Sequence, residues 1–254
     1  MSIIIARIIG IIGGVSSVIA LGFFYFFPGY YSAGIILALW WAATILIGIK
    51  LSFTVDDLAA HIGASSAFFV LLGVLEWAPA EILLMIGSGL VFTILWWWPT
   101  IGRHNPAQFT QKPWRRIIMV IWVFAVYSWM AALNAILLFF PDLPVLFISA
   151  LEGAIAAFAT FMILRLYNPG KKLKDCAFGI GSTAVMVAEL GLVISFLPFG
   201  YLASALVTAW IWYLIQLFLR FQLSPEGIIW RKQSWFLVGN AVLLFLTLYY
   251  SQWI

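Results

Sequence analysis

Two acids and one amide stand where polar groups are costly. Glu152 and Glu189 fall inside long apolar runs, and so does Asn134. An acidic side chain at the centre of a lipid-spanning helix costs roughly 2.5–3.5 kcal/mol on insertion scales. Such groups therefore turn inward, where they serve ion or proton paths or pair with polar groups of other helices. Glu152 is eight residues past Pro144 and Glu189 is nine before Pro198. At 1.5 Å per residue both lie roughly 12 Å below the same end of their helices. Asn134, six residues before Phe140, sits at a related depth in the preceding run. Helical spacing puts Ser149, Ala156 and Ala159 on the face of Glu152. The small residues Ala150, Gly153, Ala154 and Ala157 beside it permit close helix approach. Two uses follow. One is a proton or cation site made by Glu152 and Glu189 with Asn134 as a neutral ligand. The other is a set of interhelical hydrogen bonds that holds the helices together.

The remaining chemistry-bearing residues form no second constellation. Asp56 and Asp57 open an apolar run, with Thr54 three residues before Asp57, the spacing of a capping box. Acids there gain from the helix dipole. His61 and His104 lie in separate segments with no His-x-x-x-His pair, and Cys176 is the single cysteine. A Cys- or His-based metal site and an intrachain disulfide are therefore not expected. No P-loop, Gly-x-Ser-x-Gly or dinucleotide fingerprint occurs in a suitable context, so no cofactor is expected either. Gly10-Ile-Ile-Gly13-Gly14 contains a Gly-x-x-x-Gly spacing, a face for helix packing within or between chains.

The elements that must position these residues follow from composition. The chain has 254 residues, 65% hydrophobic and 9% charged, with a mean hydropathy of +1.10. Soluble domains carry about 45–50% apolar and about 25% charged residues. A soluble enzyme, a disordered chain and a coiled coil are excluded, and an integral membrane protein remains. A spanning helix needs roughly 20 apolar residues. Nine runs qualify: 8–27, 31–49, 58–77, 81–98, 117–140, 144–163, 177–197, 201–219 and 235–250. Period-two alternation is absent, which argues against a barrel. The fold class is an all-α, multi-pass transmembrane helix bundle of nine spans in one domain over 1–254. Prolines at 28, 79, 141, 144 and 198 mark tight turns, giving four helical hairpins and a last helix.

Numbering the connections alternately puts every Lys and Arg on one side. By the positive-inside rule the N-terminus is cytoplasmic and the C-terminus outside. The first run is longer than a signal-peptide core and reads as a retained helix. These features point to the cytoplasmic (inner) membrane of a bacterium-like cell. The cations Arg103, Lys112, Arg115, Arg116, Lys171, Lys172, Lys174, Arg231 and Lys232 sit in or beside short connections between spans. That placement suits anionic lipid headgroups, at about 1 kcal/mol per cation, and not a nucleic acid. Trp77 and Trp253 on one side, and Trp96, Trp97, Trp98, Trp114, Trp230 and Trp235 on the other, read as interfacial belts. Trp40, Trp41, Trp122, Trp129, Trp210 and Trp212 lie deeper and read as packing residues.

The span count, the cytoplasmic N-terminus, and acids after the second and sixth spans (Asp56, Asp57 and Asp175) give the chain a topology similar to UbiA-type intramembrane prenyltransferases. That resemblance implies isoprenoid transfer with Mg²⁺ held by two Asp-rich motifs. The family has several Asp at helical spacing in each loop, whereas this chain has one adjacent pair and one single residue. Three functional expectations follow. The leading one is a non-catalytic scaffold or accessory subunit with protein partners, or self-association, within the membrane. The second is a small proton- or cation-linked transporter or channel using Glu152 and Glu189. The third is a prenyltransferase-like enzyme.

Overall fold

The computed structural model describes residues 3–104, 111–168, 173–223 and 230–250. All regular structure among them is helical: α1 (Ile3–Phe26), α2 (Tyr30–Lys50), α3 (Val55–Val74), α4 (Ala78–His104), α5 (Gln111–Phe139), α6 (Val145–Tyr167), α7 (Leu173–Ile194), α8 (Tyr201–Gln222) and α9 (Trp230–Tyr250). Eight of these are long and apolar enough to cross a bilayer, so the chain is a multi-pass membrane protein. In α9 the apolar stretch whose side chains are described is Ser234–Thr247. Nine helices thus stand where nine runs were expected, eight of them with a full spanning length among the described residues. The short break between α3 and α4 is present, and Pro79 occupies the first turn of α4, where a missing N–H is harmless. The fourth run was expected to end at Trp98, yet α4 continues through Pro99 to His104. Just past the proline, the Thr100 hydroxyl donates to the Trp96 carbonyl at 2.6 Å, and both side chains are buried.

The chain divides into two compact units, Met1–Ser128 and Trp129–Ile254, with α5 contributing to both. In the first unit, α1 packs chiefly on α4 and not on α2, its hairpin mate. Glycine explains this choice. A Cβ on Gly10 would stand 2.8 Å from the Thr93 carbonyl oxygen and 2.9 Å from Trp97 Cβ. A Cβ on Gly14 would collide with the Gly89 carbonyl and the Thr93 hydroxyl. One turn on, Ser17 Oγ and Ser88 Oγ lie 3.3 Å apart. The Gly-x-x-x-Gly face is therefore used within the chain, where small residues let two backbones meet. Helix α3 is buried along Ala60, Ala64, Ala67, Phe68 and Leu71. Gly63 leaves room for the Trp122 ring of α5, which a Cβ would meet at 3.3 Å.

The α2–α3 connection is fixed by local hydrogen bonds. Phe53 N–H donates to the Gly48 carbonyl at 2.8 Å and Ser52 N–H to the Ile49 carbonyl at 2.9 Å. This is the Schellman pattern, and Ser52 takes its left-handed position with φ 57°. The capping box then starts α3. Asp57 N–H donates to Thr54 Oγ1 at 3.2 Å, and Thr54 N–H returns to Asp57 Oδ2 at 2.9 Å.

The second unit is built on α6 and α7. A Cβ on Gly153 would run into the Ala184 carbonyl and stand 3.1 Å from Ala188 Cβ. The buried face of α6 carries Ser149, Glu152, Gly153, Ala156, Ala159 and Thr160, while Ala150 and Ala154 point outward. Helix α8 joins through Trp212, whose indole N–H donates to Thr160 Oγ1 at 3.0 Å and lies 3.3 Å from the Ala156 carbonyl oxygen. Helix α9 is tied to α8 by Trp210 Nε1 donating to Asn240 Oδ1 at 3.0 Å.

Two glycines of α1 separate packing from propensity. Gly14→Leu must push α1 off α4 and is expected to lower stability in detergent by about 1–3 kcal/mol, the usual cost of overpacking. Gly22 has nothing within 4 Å of its missing Cβ. Gly22→Ala is expected to raise stability by about 0.4–1 kcal/mol. Denaturant-induced unfolding of the two variants beside the parent reads both signs.

Candidate functional site

The expected intramembrane triad resolves into a pair and a separate acid. Helix α6 carries Glu152 eight residues into the chain after its Pro144 N-cap, and the side chain is 2% exposed. Helix α5 brings Asn134 alongside. Its Nδ2 donates to Glu152 Oε1 at 2.7 Å and to the Met130 carbonyl at 2.9 Å. The carboxamide has two N–H donors, so one is turned across to α6 and the other back on its own helix. From the far side, α7 closes on the same carboxyl with Gly191. A Cβ there would overlap Glu152 Oε2, and Ser149 Oγ would lie 3.8 Å away. Only glycine at that position lets α7 pack against the acid.

Glu189 lies two residues from Gly191, about 200° around α7 at 3.6 residues per turn. It is exposed, together with Val185 at 57%, Met186 at 50% and Val193 at 59%. The structure therefore brings Glu152 and Asn134 together and leaves Glu189 on the outer face of α7. Chemically, the pair is a short charge-capable hydrogen bond walled by small residues, well suited to pinning α5 to α6. Sequence spacing placed the three residues at related depths. It did not resolve which side of α7 Glu189 takes, because Gly191 gives no apolar-periodicity signal.

A second polar cluster lies in the first unit. Asp57, 5% exposed, accepts from Thr54 Oγ1 at 2.7 Å and from Trp114 Nε1 at 3.2 Å. One turn on, His61 is fully buried, and its Nδ1 donates to the Asp57 carbonyl at 2.8 Å. The imidazole packs against Phe53, Phe92 and Trp96, with centroids 5.4, 6.3 and 4.9 Å away. The cluster ties the start of α3 to the first turns of α5, a role of Asp57 beyond the capping predicted for it. Trp96 and Trp114, expected in an interfacial belt, are 4% and 6% exposed and belong to the core. Both sit near basic segments, which makes them resemble belt residues in sequence. Among the deeper tryptophans, Trp122 and Trp212 are buried, and Trp41 Nε1 donates to Ser65 Oγ at 2.8 Å. Asp175 is exposed in the first turn of α7. Among the described residues, no three His, Cys, Asp or Glu are grouped so as to hold a metal ion.

Of the cations expected at lipid headgroups, Arg116 and Lys174 are exposed and Arg115 is half-buried. Lys171 and Lys172, and the side chains of Arg103, Lys112, Arg231 and Lys232, lie outside the described residues.

The Asn134–Glu152 bond makes a quantitative expectation. A double-mutant cycle on Glu152→Leu and Asn134→Leu, read by unfolding in mixed detergent, is expected to return a coupling of about 0.6 kcal/mol, up to about 1.7. Glu152→Gln keeps an acceptor for Asn134 and is expected to retain most of it.

No protein-family model, no curated protein and no solved structure matches the chain.

Proposed function

We propose that the chain is a non-catalytic scaffold or accessory subunit of a membrane assembly, seated with its N-terminus on the cytoplasmic side of an inner membrane. The observation that supports this reading is Glu189. It stands on an exposed face of α7 that also presents Phe178, Val185, Met186 and Val193. Those apolar residues suit hydrocarbon, and the acid does not. A carboxylate facing lipid is charged the insertion penalty in full, whereas a neighbouring helix that offers a hydrogen-bond donor at that depth removes most of it. The apolar residues around Glu189 would supply the packing and the acid the register. Connections too short to hold a folded domain fit the same reading, since function then resides in helix faces.

The test is purification from native membranes in mild detergent. A stoichiometric protein partner, or a defined oligomer of the chain, is expected, and Glu189→Leu is expected to lose it while expression persists. Recovery of the parent chain as a bare monomer overturns the reading.

The transporter reading now rests on Glu152 with Asn134, because Glu189 faces away from them. It requires proton- or cation-dependent flux in liposomes that Glu152→Gln abolishes. Flux of that kind would replace the scaffold reading. The scaffold reading expects no flux above protein-free vesicles.

A further inference from the structure

The commitment of α1 to α4 has a by-product on the other side of α1. Helix α2 leaves a cleft of about 640 Å³ along the hairpin. Its lining on α1 runs from Ile9 to Phe23, and on α2 from Ile36 to Ile47, with Trp96 of α4 behind. Small residues line the middle: Gly13, Ser16 and Ala20 from α1, and Ala43 from α2. Branched and aromatic side chains on both helices, several exposed, form the rims. The volume falls within the range of small-molecule sites, roughly 300–1,000 Å³.

Its shape selects the occupant. Fourteen residues of α1 separate Ile9 from Phe23, so the cleft runs about 21 Å along the helix. That long, narrow, almost wholly apolar lining suits one extended hydrocarbon chain. One end of the cleft is marked by charge. Lys50 lies three residues beyond Ile47, on the α2 face that lines the cleft. It is exposed and makes no ion pair with any described residue. Arg7, at the same end of the hairpin, has its guanidinium 5.9 Å over the Trp97 ring of α4, which leaves Lys50 as the cation on the cleft face of α2. We infer that the α1–α2 cleft is a binding site for one membrane lipid with an anionic headgroup, its acyl chain in the cleft and its headgroup at Lys50.

The experiment is native mass spectrometry of the full chain in detergent, titrated with phosphatidylglycerol or with phosphatidylcholine of identical acyl chains. One cation near an anionic group corresponds to about a fivefold preference for phosphatidylglycerol. Lys50→Gln, at an exposed position, is expected to remove that preference and keep the acyl chain bound. Ala43→Phe fills the middle of the cleft and is expected to displace both lipids. Equal retention of the two lipids by the parent chain, or an unchanged preference in Lys50→Gln, overturns the inference. So does a second copy or another protein held at this hairpin in place of lipid. Should Ala43→Phe fail to fold, the Lys50→Gln comparison decides alone.

Discussion

A polar group in a hydrocarbon slab is costly without a partner inside the protein, and that constraint shapes much of this chain. Hydroxyls mostly answer it locally. Ser16, Ser17, Ser88, Thr93, Thr100, Ser128, Thr183 and Thr208 each donate to a carbonyl one turn back on their own helix. Such bonds satisfy the hydroxyl without joining helices. Apart from the Ser17–Ser88 contact of α1 and α4, side-chain bonds between the described helices use larger donors. Indole N–H groups reach Ser65, Asp57, Asn240 and Thr160, and one carboxamide reaches Glu152. Tryptophan is well suited to this work, because a single donor at the edge of a large apolar ring can be buried with one acceptor and leaves nothing further to satisfy.

Where donors are not used, glycine is. Gly10 and Gly14 against Gly89 and Thr93 bring α1 and α4 into backbone contact, and Gly153 does the same for α6 and α7. Without water to drive helices together, dispersion across a close interface is the main attraction, so a missing side chain contributes more than a large one. Gly191 combines both devices. It gives α7 its close approach and leaves space for the Glu152 carboxyl.

Helix number and type were legible because an apolar run of about 20 residues has few alternatives, and the Thr54–Asp57 cap was legible because its spacing is itself the mechanism. The inward turn of Glu152 was legible from the small residues that share its face. Three things were not. The extension of α4 past Pro99 escaped because proline ordinarily stops a helix. The pairing of α1 with α4 escaped because a Gly-x-x-x-Gly face states that a partner exists and not which one. The outward turn of Glu189 escaped because the lipid-facing side of a membrane helix is as apolar as its packed side, which erases the periodicity that orients a helix in water.

The glycine lock between α1 and α4 also sets an order of events. A ribosome delivers helices one at a time, and α2 and α3 must both emerge before α4 exists. The last residue of α4 follows the last of α1 by 78 positions, which at synthesis rates of roughly 5–20 residues per second is about 4–16 s. Throughout that interval the grooved side of α1 faces lipid or the insertion machinery, with its closest hairpin neighbour unable to fill it. Helix α1 thus enters the membrane well before the partner it is seated on, and it spends that interval with its tightest joint open.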